Sequence, residues 1–107
     1  DEVEKNLGQK PKIVHDPEEG LADADIVYAK SWGGIGFYGH WEEEKKRRED
    51  YRQWQVTEIP EGAHFMHCLP VRRNVVVSDE ILDRSKVYDQ AENRLHVQKA
   101  ILSSLIA

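Results

Sequence analysis

The tightest constraint on the fold lies in residues 12–29. Lys12-Ile13-Val14-His15 reads as a short strand. Asp16-Pro17-Glu18-Glu19 opens a helix that ends near Ala24, and Ile26-Val27-Tyr28-Ala29 is a β-branched and aromatic run expected to be a buried strand. The helix start is well marked: Asp16 is a capping residue, Pro17 suits the first helical position, and two glutamates sit at the positive end of the dipole. Strand, helix, strand in so short a span is the signature of a parallel sheet, because strands running the same way need a crossover between them. The expected class is α/β, part of an open, mostly parallel sheet flanked by helices.

The remaining elements extend that pattern. "KSWGGIGFYGHW", residues 30–41, holds four glycines and four aromatic residues and reads as a loop directly after a strand. In open α/β sheets, such loops at the carboxyl ends of strands form the ligand crevice. Residues 42–54 form a charged helix. Its Glu42–Lys46, Glu43–Arg47 and Glu44–Arg48 pairs are each worth about 0.2–0.5 kcal/mol, so the basic run 45–48 reads as a solvated, charge-paired face rather than a nucleic-acid contact. Pro60-Glu61-Gly62 is a turn, 63–69 a third strand, and 78–82 a short helix with Asp79 and Glu80 in its first turn. Val87-Tyr88 reads as a last short strand. Residues 91–106 form a terminal helix with an apolar stripe at Val97, Ile101 and Leu105.

Composition excludes several classes. The net charge of −5 argues against a nucleic-acid partner. The single cysteine makes no internal disulfide. No apolar run approaches a membrane span, and "DEVEKNLGQK" has neither the basic start nor the apolar core of a signal peptide, so a cytoplasmic location is expected. The chain opens without methionine, on what reads as a helix tail stopped at Gly8. The expectation is therefore a fragment of a longer protein.

Chemistry concentrates in "FMHCLPVRRN", residues 65–74, which holds the lone cysteine, a histidine and two arginines at a strand tip. Nearby arginines favour a thiolate at Cys68. His67 is adjacent to it, however, and strand alternation sends the two side chains to opposite faces, so they do not form a nucleophile–base pair. The same alternation puts His64 and Cys68 on one side and His67 on the other, leaving no tetrahedral metal set; no metal and no cofactor are expected. A turn at Leu69-Pro70, with a cis bond as one option, would leave the carbonyls of Cys68 and Leu69 facing a donor such as an amine. Arg72 offers a planar fork for a carboxylate. Lys30 stands at the end of the neighbouring strand, and Arg94 is placed in the first turn of the last helix, either paired with Asp89 or Glu92 or aimed at the crevice.

Four blocks, "VYAKSWG", "FYGHWEEEKKRREDY", "HCLPVRRN" and "AENRLHVQKAI", taken in order, resemble the aspartate/ornithine carbamoyltransferase superfamily, and within it the N-acetylornithine branch. The resemblance runs from about Ile13 to the end. It implies carbamoyl transfer from carbamoyl phosphate to the δ-amine of an N-acylated ornithine in arginine biosynthesis, by a homotrimeric enzyme that needs no cofactor. It further implies that residues 1–90 are part of the amino-acid-binding domain, and that 91–107 is a helix packing on a carbamoyl-phosphate domain. That domain's Ser-Thr-Arg-Thr and His-Pro-x-Gln segments do not occur here, so the fragment alone is expected to be inactive. By resemblance, Cys68 and Leu69 touch carbamoyl phosphate and the attacking amine, Arg94 holds carbamoyl phosphate, Lys30 contacts the acylated amino acid, Arg72 meets the substrate carboxylate, and His67 is structural. Some members carry a carboxylated lysine eight residues after the motif cysteine; here that position is Val76. N-succinylornithine and free ornithine are the alternative substrates. A non-catalytic domain binding a small metabolite or a protein is the alternative from another class.

Overall fold

A computed structural model describes residues 2–106, with Asp1 and Ala107 outside it. The first helix, α1 (Glu2–Leu7), ends where the sequence places its stop. Gly8 has φ 67° and donates its N–H to the Glu4 carbonyl at 2.9 Å, a left-handed cap that only glycine adopts without cost. Residues 12–15 do not form the expected strand. They stay irregular, with Ile13 exposed, and Lys12 is drawn instead to Glu19 at 2.8 Å. A strand needs a ladder, and β1 (Ile26–Tyr28) pairs with a different partner.

That partner is β2 (His64–Met66), parallel to β1 in the register Ile26↔His64, Val27↔Phe65, Tyr28↔Met66. His64 N–H to Asp25 carbonyl (2.9 Å) and Ala29 N–H to Met66 carbonyl (3.1 Å) lengthen the ladder by a rung at each end. Of the strand expected to be buried, only Val27 is so; Ile26 and Tyr28 lie largely in solvent. Helix α2 (Pro17–Leu21) starts as its sequence dictates, the Asp16 carboxylate accepting the Glu18 N–H at 3.0 Å.

The charged helix is shorter than expected. α3 (Trp41–Glu49) gives way at Asp50 to a tighter turn at Arg52–Trp54. An acidic residue at the negative end of a helix dipole is unfavourable, and here the N–H groups of Asp50 and Tyr51 reach back only three residues, to Arg47 and Arg48. Helix α4 (Asp79–Asp83) is capped by Ser78. The last helix, α5 (Val87–Ile106), absorbs the expected strand at Val87-Tyr88. Ser85 Oγ accepts the Val87 N–H at 3.3 Å and Lys86 the Gln90 N–H at 2.9 Å, so helical capping overrides the strand preference of Val and Tyr.

One small core joins these pieces. Val27 and Phe65 from the two strands meet Val77, Ile81, Leu82 and Val87. Val77 is wholly buried and is pinned by backbone bonds that link residues 56 and 74–78: Val56 N–H to Val76 carbonyl (2.9 Å), Ser78 N–H to Val56 carbonyl (3.0 Å) and Asn74 N–H to Val77 carbonyl (2.8 Å). α5 touches this core only at its start, through Val87 and a Gln90–Tyr28 hydrogen bond of 3.0 Å. Residues 91–106 are all exposed, including Leu95, Ile101 and Leu105 of the apolar stripe. The radius of gyration, 17.1 Å, accordingly exceeds the roughly 13 Å of a compact domain of this length.

Because Ile81 is buried in the core that Val27, Phe65 and Val87 also form, Ile81→Ala should lower stability by about 2–5 kcal/mol. Urea unfolding of the full chain followed by circular dichroism measures this; a loss below ~1 kcal/mol would mean that the site collapses freely around the missing atoms.

Candidate active site

β2 carries the chain into the tip at 67–74. Alternation continues past the ladder: Phe65 and His67 turn inward and are buried, while Cys68 is exposed. Thiol and imidazole therefore lie on opposite sides, as strand geometry requires. His67 Nδ1 bonds the carbonyl oxygen of Cys68. A carbonyl only accepts, so Nδ1 carries the hydrogen of this bond, and the buried Nε2 has no hydrogen-bond partner. The Cys68 carbonyl, expected to face a donor such as an amine, is thus engaged by the imidazole on one of its two lone pairs. The Leu69–Pro70 bond is cis and Leu69 is half exposed.

The two arginines of the motif part company. Arg73 turns toward α4, with Nη1 2.8 Å from Asp79 Oδ1 and Nη2 2.7 Å from Asp83 Oδ1. Asn74, at φ 56°, donates from Nδ2 to the other Asp79 oxygen at 2.8 Å. These bonds lock the backbone after the tip. Arg72 turns the opposite way, its Nη1 4.0 Å from Glu44 Oε1 on α3.

The loop after β1 is fastened to the same helix. It makes one helical turn at Ile35–Phe37; the Arg47 guanidinium lies 5.4 Å from the centre of the Phe37 ring, and the Tyr38 and Trp41 rings are 6.2 Å apart. Of the three expected pairs along α3, Glu44–Arg48 forms at 3.7 Å, while Arg47 is taken up by Phe37. Two clefts adjoin along this loop. The larger, about 750 Å³ and mostly apolar, is lined by Lys30, Tyr28, Phe37 and Trp54 among others. The smaller, about 320 Å³, is lined by Arg72 with Lys45, Arg52 and Asn74. Trp32 and Arg48 line both, and the Trp32 indole N–H is buried without a partner.

The fold therefore brings Lys30 and Arg72 to adjoining clefts. Cys68 and Leu69 line neither. Arg94 is not in the first turn of the last helix, because α5 begins at Val87; it stands in the third turn, exposed, while Glu92 pairs with His96 at 3.5 Å. Trp32, Glu44 and Arg48 also line the larger cleft, and the sequence pattern does not mark them as site residues. The Glu44–Arg48 spacing was visible, but the burial of Glu44 was not, since α3 has no apolar face to mark an inward side. Among the described residues no three His, Cys, Asp or Glu side chains converge as metal ligands.

The family model for "Aspartate/ornithine carbamoyltransferase, Asp/Orn binding domain" matches residues 1–105. The chain belongs to this family. Within it, the chain is 45% identical over 105 residues to the N-acetylornithine carbamoyltransferase of Xanthomonas campestris, covering 92% of this chain and 31% of that one. It is 43% identical over 115 residues to the ornithine carbamoyltransferase of Methanopyrus kandleri, covering 98% and 36%. A crystal structure of N-acetyl-L-ornithine transcarbamylase superposes with a TM-score of 0.78 at 44% identity, covering 94% of this chain and 33% of that one. A structure of acetylornithine transcarbamylase complexed with acetylcitrulline gives 0.70 at 47% identity, over 85% and 29%. The chain spans about a third of the length of these carbamoyltransferases, and its α/β arrangement matches theirs.

The Arg73 cluster yields a pH prediction. The Arg73 hydrogen bond first, and the Asn74 amide second, hold the Asp79 carboxyl below its ordinary value of 3.8. A carboxyl depressed in the folded state stabilises fully above its unfolded value and loses that contribution as pH falls through the folded one. Asp79→Asn should therefore flatten the acid limb of stability below about pH 4, read as urea midpoints across a pH series. An acid limb identical to that of the parent would exclude the cluster from the pH dependence.

Proposed function

We propose that this chain is part of the amino-acid-binding domain of an N-acylornithine carbamoyltransferase, with N-acetylornithine the preferred acceptor. The neutral δ-amine attacks the carbonyl carbon of carbamoyl phosphate; a C–N bond forms, the C–O bond to phosphate breaks with its electron pair on the phosphate, and the amine loses a proton. Catalysis of this kind rests on positioning and on donors aimed at the developing negative charge. Arg72 supplies the fork for the α-carboxylate. Lys30 reaches the acyl oxygen or the carboxylate. Cys68 and Leu69 contribute main-chain contacts to the amine and carbamoyl group. Arg94 meets carbamoyl phosphate once α5, with its exposed apolar stripe, lies on the carbamoyl-phosphate domain. On this reading residues 1–90 are part of the amino-acid-binding domain and 91–107 pack on the carbamoyl-phosphate domain, although the helix itself begins at Val87. The parent enzyme works as a homotrimer in the cytoplasm, in arginine biosynthesis, with no nucleic-acid or membrane partner.

The observation that carries the acyl preference is the loop at 30–41. It contains no aspartate or glutamate, and its Trp32 and Phe37 face an apolar cleft that Lys30 borders. A charged α-ammonium there finds no counter-charge in the loop, and the two carboxylates that line the cleft are engaged elsewhere, Glu44 with Arg48 and Arg72 and Asp16 with the Glu18 N–H, whereas an acylated nitrogen is neutral and adds surface that aromatic rings accept. Position 76 is a buried valine, so the carboxylated lysine of some acetylornithine enzymes has no equivalent, and N-succinylornithine is the close second. Free ornithine is the remaining reading, favoured by the identity to the Methanopyrus enzyme.

Kinetics of the full-length enzyme with ornithine, N-acetylornithine and N-succinylornithine side by side should give the highest kcat/KM for N-acetylornithine; a maximum for free ornithine overturns the preference. In the same enzyme Arg94→Lys keeps the charge and loses the planar fork. It should lower kcat/KM for carbamoyl phosphate by roughly tenfold to a hundredfold, the equivalent of one charge-assisted hydrogen bond of about 1.5–3 kcal/mol. Unchanged kcat and carbamoyl-phosphate KM would reject the assignment.

A further inference from the structure

The inward side of α3 is charged rather than apolar, and its centre is Glu44. This carboxylate is buried, with only 11% of its side chain exposed. Buried carboxylates persist only where opposite charges or hydrogen bonds compensate them. Here the compensation comes from two arginines on different elements: Arg48, 3.7 Å away on the next turn of α3, and Arg72, 4.0 Å away at the strand tip. The loop after β1 closes the third side. A methyl group placed on Gly33 would lie 2.8 Å from Glu44 Oε1, so the glycine backbone packs directly against the carboxylate. Glu44 thus sits where the loop, the charged helix and the motif at 65–74 converge, lining the larger cleft while its partner Arg72 lines the smaller.

We propose that Glu44 is a positioning residue for the amino-acid carboxylate site. It holds the Arg72 guanidinium in place and neutralises the repulsion between Arg72 and Arg48, and Gly33 leaves the space its carboxylate needs. This rests on the reading of Arg72 as the partner of the substrate carboxylate. Without the charge on residue 44, two guanidinium groups face each other across a site that no longer separates them. Arg72, which is 44% exposed, is then free to swing into solvent. Glu44 itself touches neither amine nor carbamoyl phosphate.

The test uses the full-length enzyme, with N-acetylornithine and ornithine as probes and carbamoyl phosphate as the second substrate. Glu44→Gln should raise KM for the amino acid roughly tenfold, within the range of couplings between neighbouring charged groups. KM for carbamoyl phosphate should stay within about twofold, because the residue acts only through Arg72. Glu44→Asp, which keeps the charge, should recover part of the loss. The decisive measurement is the cycle with Arg72→Ala: if Glu44 acts through Arg72, Glu44→Gln adds nothing in that background. Additive effects in the double variant, or an unchanged amino-acid KM in Glu44→Gln, overturn the proposal. An unchanged amino-acid KM in Arg72→Ala instead removes the carboxylate reading on which it rests. Where Glu44→Gln yields no folded enzyme, Gly33→Ala carries the same test. That variant keeps the carboxylate but takes its space, and it should raise the amino-acid KM in the wild-type background and not in Arg72→Ala.

Discussion

Everything that looks like a site here depends on the parallel pairing of two three-residue strands. In the register Val27↔Phe65, both strands leave the ladder at the same edge, so Lys30 and the Cys68–Arg72 tip are delivered to the same side of the molecule. An antiparallel pair would send them to opposite ends. Parallel pairing also demands a long connection, and the chain uses it to build the rest of the site: the aromatic loop, α3 and the turn that returns to β2. The pairing itself is short, and it is held by a core in which strands, α4 and the start of α5 each contribute one or two side chains.

Charge is apportioned with similar economy. Two neighbouring arginines have opposite duties. Arg73 is committed to Asp79 and Asp83 and fixes the chain after the tip, which leaves Arg72 beside Glu44 at the mouth of a cleft. These Arg73 contacts are well exposed, so their thermodynamic weight is modest; their value is geometric, since they determine which way the next residue points. The buried Glu44 is the opposite case, a charge in a confined place where removal of one partner leaves the others uncompensated.

α5 shows what the core does not do. Only its first turn is packed, and its apolar stripe lies open over the following residues. A stripe of that kind marks a surface that takes a partner. The carbamoyltransferases that the chain matches are about three times as long.

The amino-acid sequence by itself determined the local events, because local rules govern them: the Asp16 cap, the Gly8 stop, the Ser78 start of α4, and the alternation that separates His67 from Cys68. It also carried the motif blocks that identify the family. Tertiary structure alone decided the events that depend on a neighbour. Residues 12–15 had the composition of a strand but found no ladder in β1, and Val87-Tyr88 had strand preference yet were captured by the Ser85 and Lys86 caps. The burial of Glu44 left no trace in the hydrophobic pattern of α3, because a charged side chain is drawn inward only when its compensating groups, here Arg48 on the next turn, Arg72 from the strand tip and the space left by Gly33, come together in the fold.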